Sequence, residues 1–540
     1  MGVTFKIPHL KFKIEDSRVL LLLAIVILAL VLRFYKLNTN PPGLYWDEAV
    51  FGYDAYSILK TAHDHHGQFL PLFFESFGDW KLPVYHYLLI PSIAIFGLTE
   101  FAVRFPSALL GTATVIAIFL IVKKLTQNIN LALFSAFFLA ISPWHIQFSR
   151  GGFESTAGLF AAAFGTYLAI LAIEKKNILY FSSSGILFVL SMYSYHAYRI
   201  FVPLFLIALL AIYRKELKSQ LAKILPAIAI ALLFLVPLAA FSLSAEGRAR
   251  AISQSAFKKG EQQQARLDFD QKSKKPLRFM SKYLYQEPVY YSYVAAKGYI
   301  AHFSPTFLFF QGDQIGRHSQ VDMGQIFLFE AVFIVAALFL IKFTSINKIM
   351  LAWLLLAPIP ASIVGPTPHA YRTLQMAIPL AYLSGLGAHY LISRKNFLLP
   401  KIILGAFALY WFLSYLHLLF VHYPVKFAPD WQDGYRQMVE AIKKHQASFE
   451  MVYITNINQV PYIYLLFYQK YDPGRFIQLG GNRDGFDKYV FVSRDTDIYD
   501  KGRILYVAPS WEKVDGKWLD AVNDSGGRHI YSLWEVGGGK

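Results

Sequence analysis

An adjacent pair of carboxylates, Asp47 and Glu48, follows shortly after the first long apolar run of the sequence. Paired carboxylates can supply a general base with a supporting group, or hard oxygen ligands for a divalent metal such as Mg²⁺ or Mn²⁺. The same residue types also favour the first turn of a helix without any chemistry, so the pair by itself is a weak signal. Its aromatic neighbours Tyr45 and Trp46 suit a loop just above a membrane and are candidate substrate-binding residues.

A lysine, Lys81, lies further along the same stretch, directly after Asp79 and Trp80. Lys81 could bind a phosphate as a compact positive charge, or it could extend its ammonium to the lipid headgroups and do nothing else. The residues alone leave these two roles equally open. Asp79 is a further candidate substrate-binding residue.

A short segment between two later apolar runs carries Arg150, Gly151, Gly152 and Glu154. Arg150 and Glu154 could neutralise each other at a tight turn, or they could contact a substrate. The two glycines would let a ligand approach the backbone closely. Arg150 and Glu154 are therefore candidate substrate-binding residues.

Two other loops carry basic pairs, Arg317 with His318 and His369 with Arg372. Basic residues at a membrane surface often only anchor helices. If both loops lie on the same side of the membrane as Asp47, their cations could instead converge on an anionic lipid headgroup. That headgroup would then face an acid–base group.

The composition predicts an integral membrane protein. Of the 540 residues, 55% are hydrophobic and only 16% are charged, whereas soluble chains carry about a quarter charged residues. The sequence has no Cys, which excludes disulfides, thiolate metal sites and cysteine nucleophiles. The net charge of +17 does not indicate nucleic-acid binding, because the basic residues concentrate in short turns between apolar runs, as is typical of membrane proteins.

The apolar runs predict about eleven transmembrane helices, each near the length that a hydrocarbon core of ~30 Å requires. The predicted spans are 19–36, 103–122, 131–148, 155–173, 178–194, 199–213, 222–243, 324–341, 347–364, 373–391 and 398–420. The run 84–97 is apolar but short and contains Pro91. It predicts an interfacial or re-entrant helix rather than a span.

Basic residues in alternate turns predict the orientation of the chain, because such turns stay in the cytoplasm. The turns carry Lys123, Lys124, Lys175, Lys176, Arg214, Lys215, Lys218, Lys342, Lys348, Arg394, Lys395 and Lys401. The loops 37–101 and 244–323 then lie on the opposite side, and so does a soluble tail at 424–540. The expected location is the cell (plasma) membrane, with the transmembrane part at 1–423.

The tail predicts a small α/β domain. Trp431, Tyr435, Met438, Val439 and Ile442 recur at helical spacing. Short runs rich in Val, Ile and Tyr, separated by Gly and Asp, predict strands. These runs are 452–454, 489–492, 504–507 and 529–536.

In this layout the sequence resembles the C-type (GT-C) glycosyltransferases that use polyprenyl-phosphate sugars. Within them it is most similar to the protein O-mannosyltransferases and the aminoarabinose transferase-like (ArnT-like) enzymes. The resemblance covers about residues 15–420 and is strongest at 41–175. It rests on the order of four segments: Trp46-Asp47-Glu48, Lys81-Leu82-Pro83, Arg104-Phe105-Pro106-Ser107-Ala108-Leu109-Leu110-Gly111 and Ser142-Pro143-Trp144-His145.

The resemblance implies a membrane all-α helical bundle with an extracytoplasmic active site. It implies that Asp47 is the catalytic base, supported by Glu48, and that Lys81 contacts the donor phosphate, although Leu82 stands where the family has a proline. The residues that would neutralise the leaving phosphate are Lys81, Arg317, His318, His369 and Arg372. The donor would be a polyprenyl-phosphate sugar, and the acceptor a hydroxyl of a protein, a lipid or a glycan. A single displacement would invert the anomeric centre.

Two other function classes fit parts of the pattern. A polytopic transporter or flippase of a lipid-linked or amphipathic substrate is disfavoured, because ionisable residues are scarce in the middle of the predicted spans. A non-catalytic scaffold that presents the C-terminal domain would not need the clustered loop cations. Incubation with a labelled polyprenyl-phosphate sugar separates the three classes. Transfer or hydrolysis supports the enzyme, and movement across liposomes supports the transporter.

Overall fold

A computed structural model describes residues 4–7, 10–13, 17–248, 254–257, 260–272, 275–320, 322–394, 398–457, 460–493, 498 and 502–537. Lys395, in the last predicted cytoplasmic turn, lies outside the described residues. The contacts within the chain divide it into two compact units. Unit 1 comprises Met1–Leu32, Leu110–Phe148 and Ser155–Ser414, and unit 2 comprises Arg33–Leu109, Ser149–Glu154 and Tyr415–Lys540.

The chain is mostly helical. The first helices are α1 (Ser17–Phe34), α2 (Trp46–Thr61), α3 (Pro83–Phe96), α4 (Glu100–Thr126), α5 (Ile129–Ile141), α6 (Pro143–Arg150), α7 (Glu154–Lys175), α8 (Ile178–Met192), α9 (Tyr198–Ile212), α10 (Arg214–Lys218) and α11 (Leu221–Leu243). They are followed by α12 (Glu261–Lys272), α13 (Lys275–Leu284), α14 (Glu287–Ala301), α15 (Glu330–Leu340), α16 (Ser345–Leu356), α17 (Ile359–Ser362), α18 (Ala377–Ser393), α19 (Leu398–His417), α20 (Tyr423–Lys426), α21 (Tyr435–His445), α22 (Pro461–Gln469) and α23 (Pro473–Gln478).

The strands form two hairpins and one larger sheet. They are β1 (Thr4–Ile7), β2 (Leu10–Lys13), β3 (Phe74–Ser76), β4 (Asp79–Lys81), β5 (Met451–Thr455), β6 (Gly485–Phe486), β7 (Tyr489–Val492), β8 (Ile504–Pro509), β9 (Lys517–Asn523) and β10 (His529–Val536). The sheet of unit 2 has the order β6-β7-β5-β8-β10-β9. Strand β5 pairs in parallel with β7 and β8, and the other pairs are antiparallel.

Seven helices among the described residues are long and apolar enough to cross a membrane. The pair α5 and α6, bent by 55°, would make an eighth span if it is counted as one. Helices α3, α8, α9 and α15 are apolar but shorter, below the length of about 20 residues that a straight crossing requires. The chain therefore has the helices of a multi-pass membrane protein, and the long helices are fewer than the eleven predicted spans.

Helix α18 lies at the centre of unit 1 and packs against α5 and α15. It buries most of its length, and it places Gly385 against Ser135 and Gly387 against the backbone of Phe333. Side chains at these two positions would meet the neighbouring helices, so glycine permits the close approach. The result is a tightly packed group of apolar helices.

Helix α2 lies at the centre of unit 2 and packs against α3 and α22. The tail contributes the elements that its pattern predicts: α21 buries Tyr435, Met438, Val439 and Ile442, and strands β5, β7, β8 and β10 stand at the four predicted runs. Strand β9 and helix α22 were not predicted. Residues 415–540 belong to the same compact unit as residues 33–109.

Candidate active site

Asp47 and Glu48 lie in the first turn of α2. Successive residues of a helix point about 100° apart, so the two carboxylates leave the helix in different directions. Asp47 faces the β3–β4 hairpin, and Glu48 faces the interior of unit 2. The local sequence therefore starts the helix, and the helix gives the two acidic residues different surroundings.

Asp47 contacts Lys81. The Lys81 Nζ lies 3.1 Å from Asp47 Oδ1 and 3.4 Å from Asp79 Oδ2, so one ammonium joins two carboxylates. The Lys81 side chain is only 9% exposed, whereas that of Asp47 is 18% exposed. Three predicted site residues therefore lie in contact, and part of the Asp47 side chain remains accessible to a solute.

The β3–β4 hairpin places Lys81 and Asp79 on one face, because residues two apart on a strand point the same way. Its turn, Phe77-Gly78, has positive φ at both residues, which is the geometry of a tight two-residue hairpin turn. Glu75 pairs with Trp80 across the hairpin and lies on the opposite face. One face of the hairpin thus points toward Asp47, and the opposite face carries Glu75 and Trp80.

Glu48 forms a buried ion pair with Arg104. Both side chains are fully buried, and the guanidinium binds both carboxylate oxygens, with Nε 2.9 Å from Oε1 and Nη2 3.1 Å from Oε2. The amides of Gly152 and Tyr45 donate to the same carboxylate at 2.7 and 3.3 Å. Because its oxygens already accept these four bonds, Glu48 is poorly placed to share a metal ion with Asp47.

Arg104 also donates to the carbonyls of Leu37, Pro41 and Gly43. It thereby ties the first loop of unit 2 to helix α4. A buried guanidinium requires this many acceptors, because an unpaired buried charge is very costly. Sequence analysis named Arg104 only as part of a family motif, although an arginine amid apolar residues could have indicated a buried ion pair.

The other predicted substrate-binding residues of unit 2 contact protein groups. Arg150 is buried and donates to the carbonyls of Tyr35 and Asn40 at 2.9 and 2.6 Å. Gly152 meets Glu48, so the close approach that this glycine allows is to a side chain of the protein. Glu154 is buried at the start of α7.

The two aromatic neighbours of Asp47, Tyr45 and Trp46, are held by contacts with other residues of unit 2. Tyr45 is buried, stacks on Phe153 and meets the edge of Trp431. The Trp46 amide donates to Gln432 Oε1 at 3.2 Å. These contacts fix the start of α2 and hence the direction of Asp47.

Behind Asp47, two turns along the same face of α2, lies a second buried carboxylate that was not predicted. Asp54 accepts a hydrogen bond from His65 Nδ1 at 2.5 Å and lies 3.7 Å from His86 Nε2. The His86 ring stacks flat on Phe74 of the hairpin. The spacing of apolar residues along α2 does not predict that Asp54 is buried. Its burial results from the packing of the helix against other elements.

The basic residues predicted in the later loops lie in unit 1. His318 and His369 come together around Asp313, at 3.4 and 3.8 Å from its Oδ2. Burial lowers the pKa of His318, and it lowers that of His369 well below its ordinary value. Both imidazoles are therefore neutral at pH 7. Asp313 was not among the predicted site residues.

Arg372 and Arg317 differ in their contacts. Arg372 donates to the Gly365 carbonyl at 2.8 Å and to Gln254 Oε1 at 3.2 Å. The Arg317 carbonyl accepts a hydrogen bond from Gln147 Nε2 at 2.9 Å. The Arg372 side chain is therefore held by backbone and side-chain oxygens of the protein, whereas the cited contact of Arg317 is made by its backbone.

The opposite face of the β3–β4 hairpin borders a polar cavity of about 470 Å³. At its wall, Glu75 contacts His66 at 2.5 Å and Arg483 at 2.9 Å. Burial alone would raise the pKa of Glu75, but the bonds from His66 and Gly78 and the charge of Arg483 lower it to about 2. Burial would also lower the pKa of His66, but its contact with Glu75 raises it above 6.5.

This pair predicts a pH-dependent stability. Glu75, with its lowered pKa, stabilises the fold above its ordinary value of 4.5, and this contribution is lost as the pH falls toward 2. His66, with its raised pKa, stabilises the fold below 6.5, and this contribution is lost as the pH rises through the folded-state value.

We therefore expect Glu75→Gln to lower the melting temperature more at about pH 5.5 than at about pH 8.5. Thermal unfolding of the purified protein at both values measures this difference. Asp484→Asn, which changes an exposed carboxylate beside the same cavity, is the matched control. An effect of Glu75→Gln that grows with pH would contradict the assignment of the pair.

Comparison with known proteins supports the predicted resemblance. The sequence model of the dolichyl-phosphate-mannose-protein mannosyltransferase family matches residues 81–241. An uncharacterized protein of Aquifex aeolicus (strain VF5) is 31% identical over 121 residues, which are 22% of this chain. The match spans only 23% of the length of that relative.

Two solved structures have the same fold over nearly the whole chain. The crystal structure of ArnT from Cupriavidus metallidurans in the apo state has a TM-score of 0.56 at 12% identity, and covers 96% of this chain and 98% of ArnT. The structure of the same ArnT bound to undecaprenyl phosphate has a TM-score of 0.54 at 11% identity, and covers 95% and 97%. The chain therefore has the fold of ArnT, and its residues 81–241 match the sequence model of the dolichyl-phosphate-mannose-protein mannosyltransferase family; both findings agree with the resemblance that its motifs predicted.

Proposed function

We propose that the chain is a membrane glycosyltransferase that moves a sugar from a polyprenyl-phosphate donor to an acceptor hydroxyl, with Asp47 as the general base. The observation that carries the proposal is the contact between the partly exposed Asp47 and the buried Lys81. A base and a phosphate-binding cation are the two groups that this reaction needs from the protein. The family match and the ArnT fold support the same activity.

In the proposed reaction, the acceptor oxygen attacks the anomeric carbon from the face opposite the donor phosphate. The new C–O bond forms as the bond to the phosphate oxygen breaks, and the phosphate leaves with the bonding electrons. Asp47 takes the proton of the acceptor hydroxyl. One displacement of this kind inverts the anomeric centre.

Lys81 has a second role in this scheme. It bridges Asp47 and Asp79, and a donor phosphate would compete with these carboxylates for the ammonium. Binding of the donor would then release Asp47 from Lys81 and leave the carboxylate able to accept a proton. The base would thus be freed only when a donor is present.

A lipid-linked donor is supported by an apolar cavity in unit 1. The cavity has a volume of about 1070 Å³ and is lined mainly by apolar side chains of α5, α15, α18 and α19, among them Phe134, Phe333 and Phe412. Such a surface suits an isoprenoid chain, because burial of hydrocarbon is favourable. One of the two ArnT structures contains undecaprenyl phosphate.

We further propose a topology of eleven crossings, with Asp47 and the tail from residue 424 outside the cytoplasm. The seven long apolar helices, the bent pair α5–α6 and the shorter helices α8, α9 and α15 supply these crossings, and α3 stays at the interface. The basic turns support this orientation. The acceptor is a hydroxyl of a protein, a lipid or a glycan, and the location is the plasma membrane.

Replacement of Lys81 by alanine is expected to weaken donor binding. Loss of a hydrogen bond to a charged group costs about 1.5–3 kcal/mol, so KM for the donor should rise roughly tenfold to a hundredfold. The measurement is transfer from a labelled polyprenyl-phosphate sugar at varied donor concentration. Lys60→Ala, which removes an exposed lysine from the last turn of α2, should leave KM unchanged. An unchanged KM in Lys81→Ala would refute the phosphate role.

A further inference from the structure

Three buried side chains of unit 1 share the geometry of a metal site. Asp313, His318 and His369 each offer one ligand atom, and the three atoms lie within 4.8 Å of one another. They come from two separate loops, one before α15 and one between α17 and α18. None of them is more than 8% exposed.

The separations suit a shared cation better than hydrogen bonds. Asp313 Oδ2 lies 3.4 Å from His318 Nδ1 and 3.8 Å from His369 Nδ1, beyond the usual hydrogen-bond range of about 2.7–3.2 Å. Ligand atoms at about 2.1 Å from a tetrahedral Zn²⁺ are necessarily about 3.4 Å apart. A small inward movement of His369 would complete that arrangement.

The backbone holds two of the ligands in place. The amides of Ile315 and Ala370 donate to the two oxygens of Asp313, at 2.9 and 2.6 Å. The His369 amide is 3.0 Å from His302 Nε2, and His302 Nδ1 lies 2.7 Å from the Gly298 carbonyl. The carbonyl can only accept, so His302 carries its proton on Nδ1 and accepts through Nε2. Supporting contacts of this kind are typical around metal ligands.

His369 provides an independent sign of a missing partner. Its side chain is 6% exposed, and its Nδ1 has no hydrogen-bond partner among the residues that the structure describes. A buried ring nitrogen without a hydrogen bond is costly. A metal ion bound to this nitrogen would remove that cost.

We propose that Asp313, His318 and His369 bind one divalent transition-metal ion of the zinc class, with an open fourth position. Two imidazole nitrogens favour zinc and its neighbours over Mg²⁺ or Mn²⁺, which prefer oxygen ligands. The open position would accept water or an oxygen of an anionic ligand. The histidines would then contribute positive charge through the metal, and this proposal does not depend on the transferase activity.

The test uses the full chain in detergent, purified with a tag that contains no histidine and stripped with a chelator. Titration with Co²⁺ should show one ion per chain and the intense visible absorption of four-coordinate cobalt. Zn²⁺ should displace the Co²⁺ and raise the melting temperature. Asp313→Asn and His369→Ala should each weaken Zn²⁺ binding by more than about a hundredfold.

The double variant His417→Ala/His422→Ala is the matched control. It removes an exposed pair of histidines whose Nε2 atoms lie 3.0 Å apart, and it should keep one ion per chain. Loss of the metal in this control, or no cobalt spectrum in the unaltered chain, would overturn the proposal. If His369→Ala fails to fold, the Asp313→Asn titration and the wild-type cobalt spectrum still decide the question. These readouts do not involve sugar transfer, so failure here is distinct from failure of the proposed function.

Discussion

Replacement of Asp47 by asparagine is expected to reduce sugar transfer by roughly 10²–10⁴-fold, the usual contribution of a positioned general base. Asparagine keeps the size of the side chain and can still start a helix, but it cannot accept the proton of the acceptor hydroxyl. The fold should remain, because Asp47 is the more exposed partner of its ion pair with Lys81. Single-turnover transfer from a labelled polyprenyl-phosphate sugar measures the effect.

Asp79→Asn is the matched control for this experiment. Asp79 contacts the same ammonium from the other side, so the control makes a similar electrostatic change beside Lys81. We expect it to change KM for the donor while most of the single-turnover rate remains. Equal losses of rate in the two variants would indicate a general charge effect, and full activity of Asp47→Asn would exclude this residue as the base.

Glu48→Gln is expected to lower the stability of the protein by about 3–5 kcal/mol, because it leaves the Arg104 guanidinium buried without a partner charge. Both side chains of this pair are fully buried, so solvent cannot replace the lost carboxylate. Thermal unfolding in detergent should show a large fall in melting temperature. The control Arg475→Ala breaks an exposed pair with Asp487 and should cost no more than about 1 kcal/mol.

This comparison also separates two roles of Glu48. If the residue is structural, the fraction of Glu48→Gln that remains folded should transfer sugar at a near-normal rate. If Glu48 supports the base directly, the variant should be inactive even where it is folded. A stable but inactive Glu48→Gln protein would therefore contradict the assignment made from the Arg104 contact.

The neutral state of the two loop histidines changes what the predicted phosphate site can be. Sequence analysis predicted that His318 and His369 would supply positive charge to the donor phosphate, together with Arg317 and Arg372. Burial lowers the pKa of both imidazoles, although the charge of the nearby Asp313 raises it. Without a metal, the neutral rings can only donate or accept hydrogen bonds with a phosphate group. Their role as phosphate-binding residues stays a prediction, and the proposed metal ion offers one physical basis for it.

Short-range patterns in the sequence were enough to predict much of the architecture. Apolar runs predict helices because a helix satisfies its own backbone in lipid, and the long runs are helices in the structure. The acidic residues at 47 and 48 start a helix because they suit its N-terminal dipole. Strands β5, β7, β8 and β10 follow from β-branched and aromatic runs between turn residues.

The shorter elements were harder to predict because their composition is ambiguous. Helices α8 and α9, of 15 residues each, and α15, of 11, are as apolar as the long spans, so hydropathy alone counts them as crossings. Helix α22 is an apolar, aromatic segment of nine residues, which could equally have been a buried strand. Composition therefore does not determine how long such an apolar helix is, or whether a short apolar segment such as α22 is a helix or a strand.

By itself, the sequence of this protein indicated which residues could carry chemistry, and it determined on which local elements they stand, because helix starts, apolar spans and turns depend on near neighbours. Only the tertiary structure decided their partners. Asp47 could have faced any cation and faces Lys81, whereas Glu48, next to it in the chain, is paired with Arg104, 56 residues away. Such distant contacts depend on how whole elements pack, and burial then sets whether a charged group reacts, binds or only stabilises the fold.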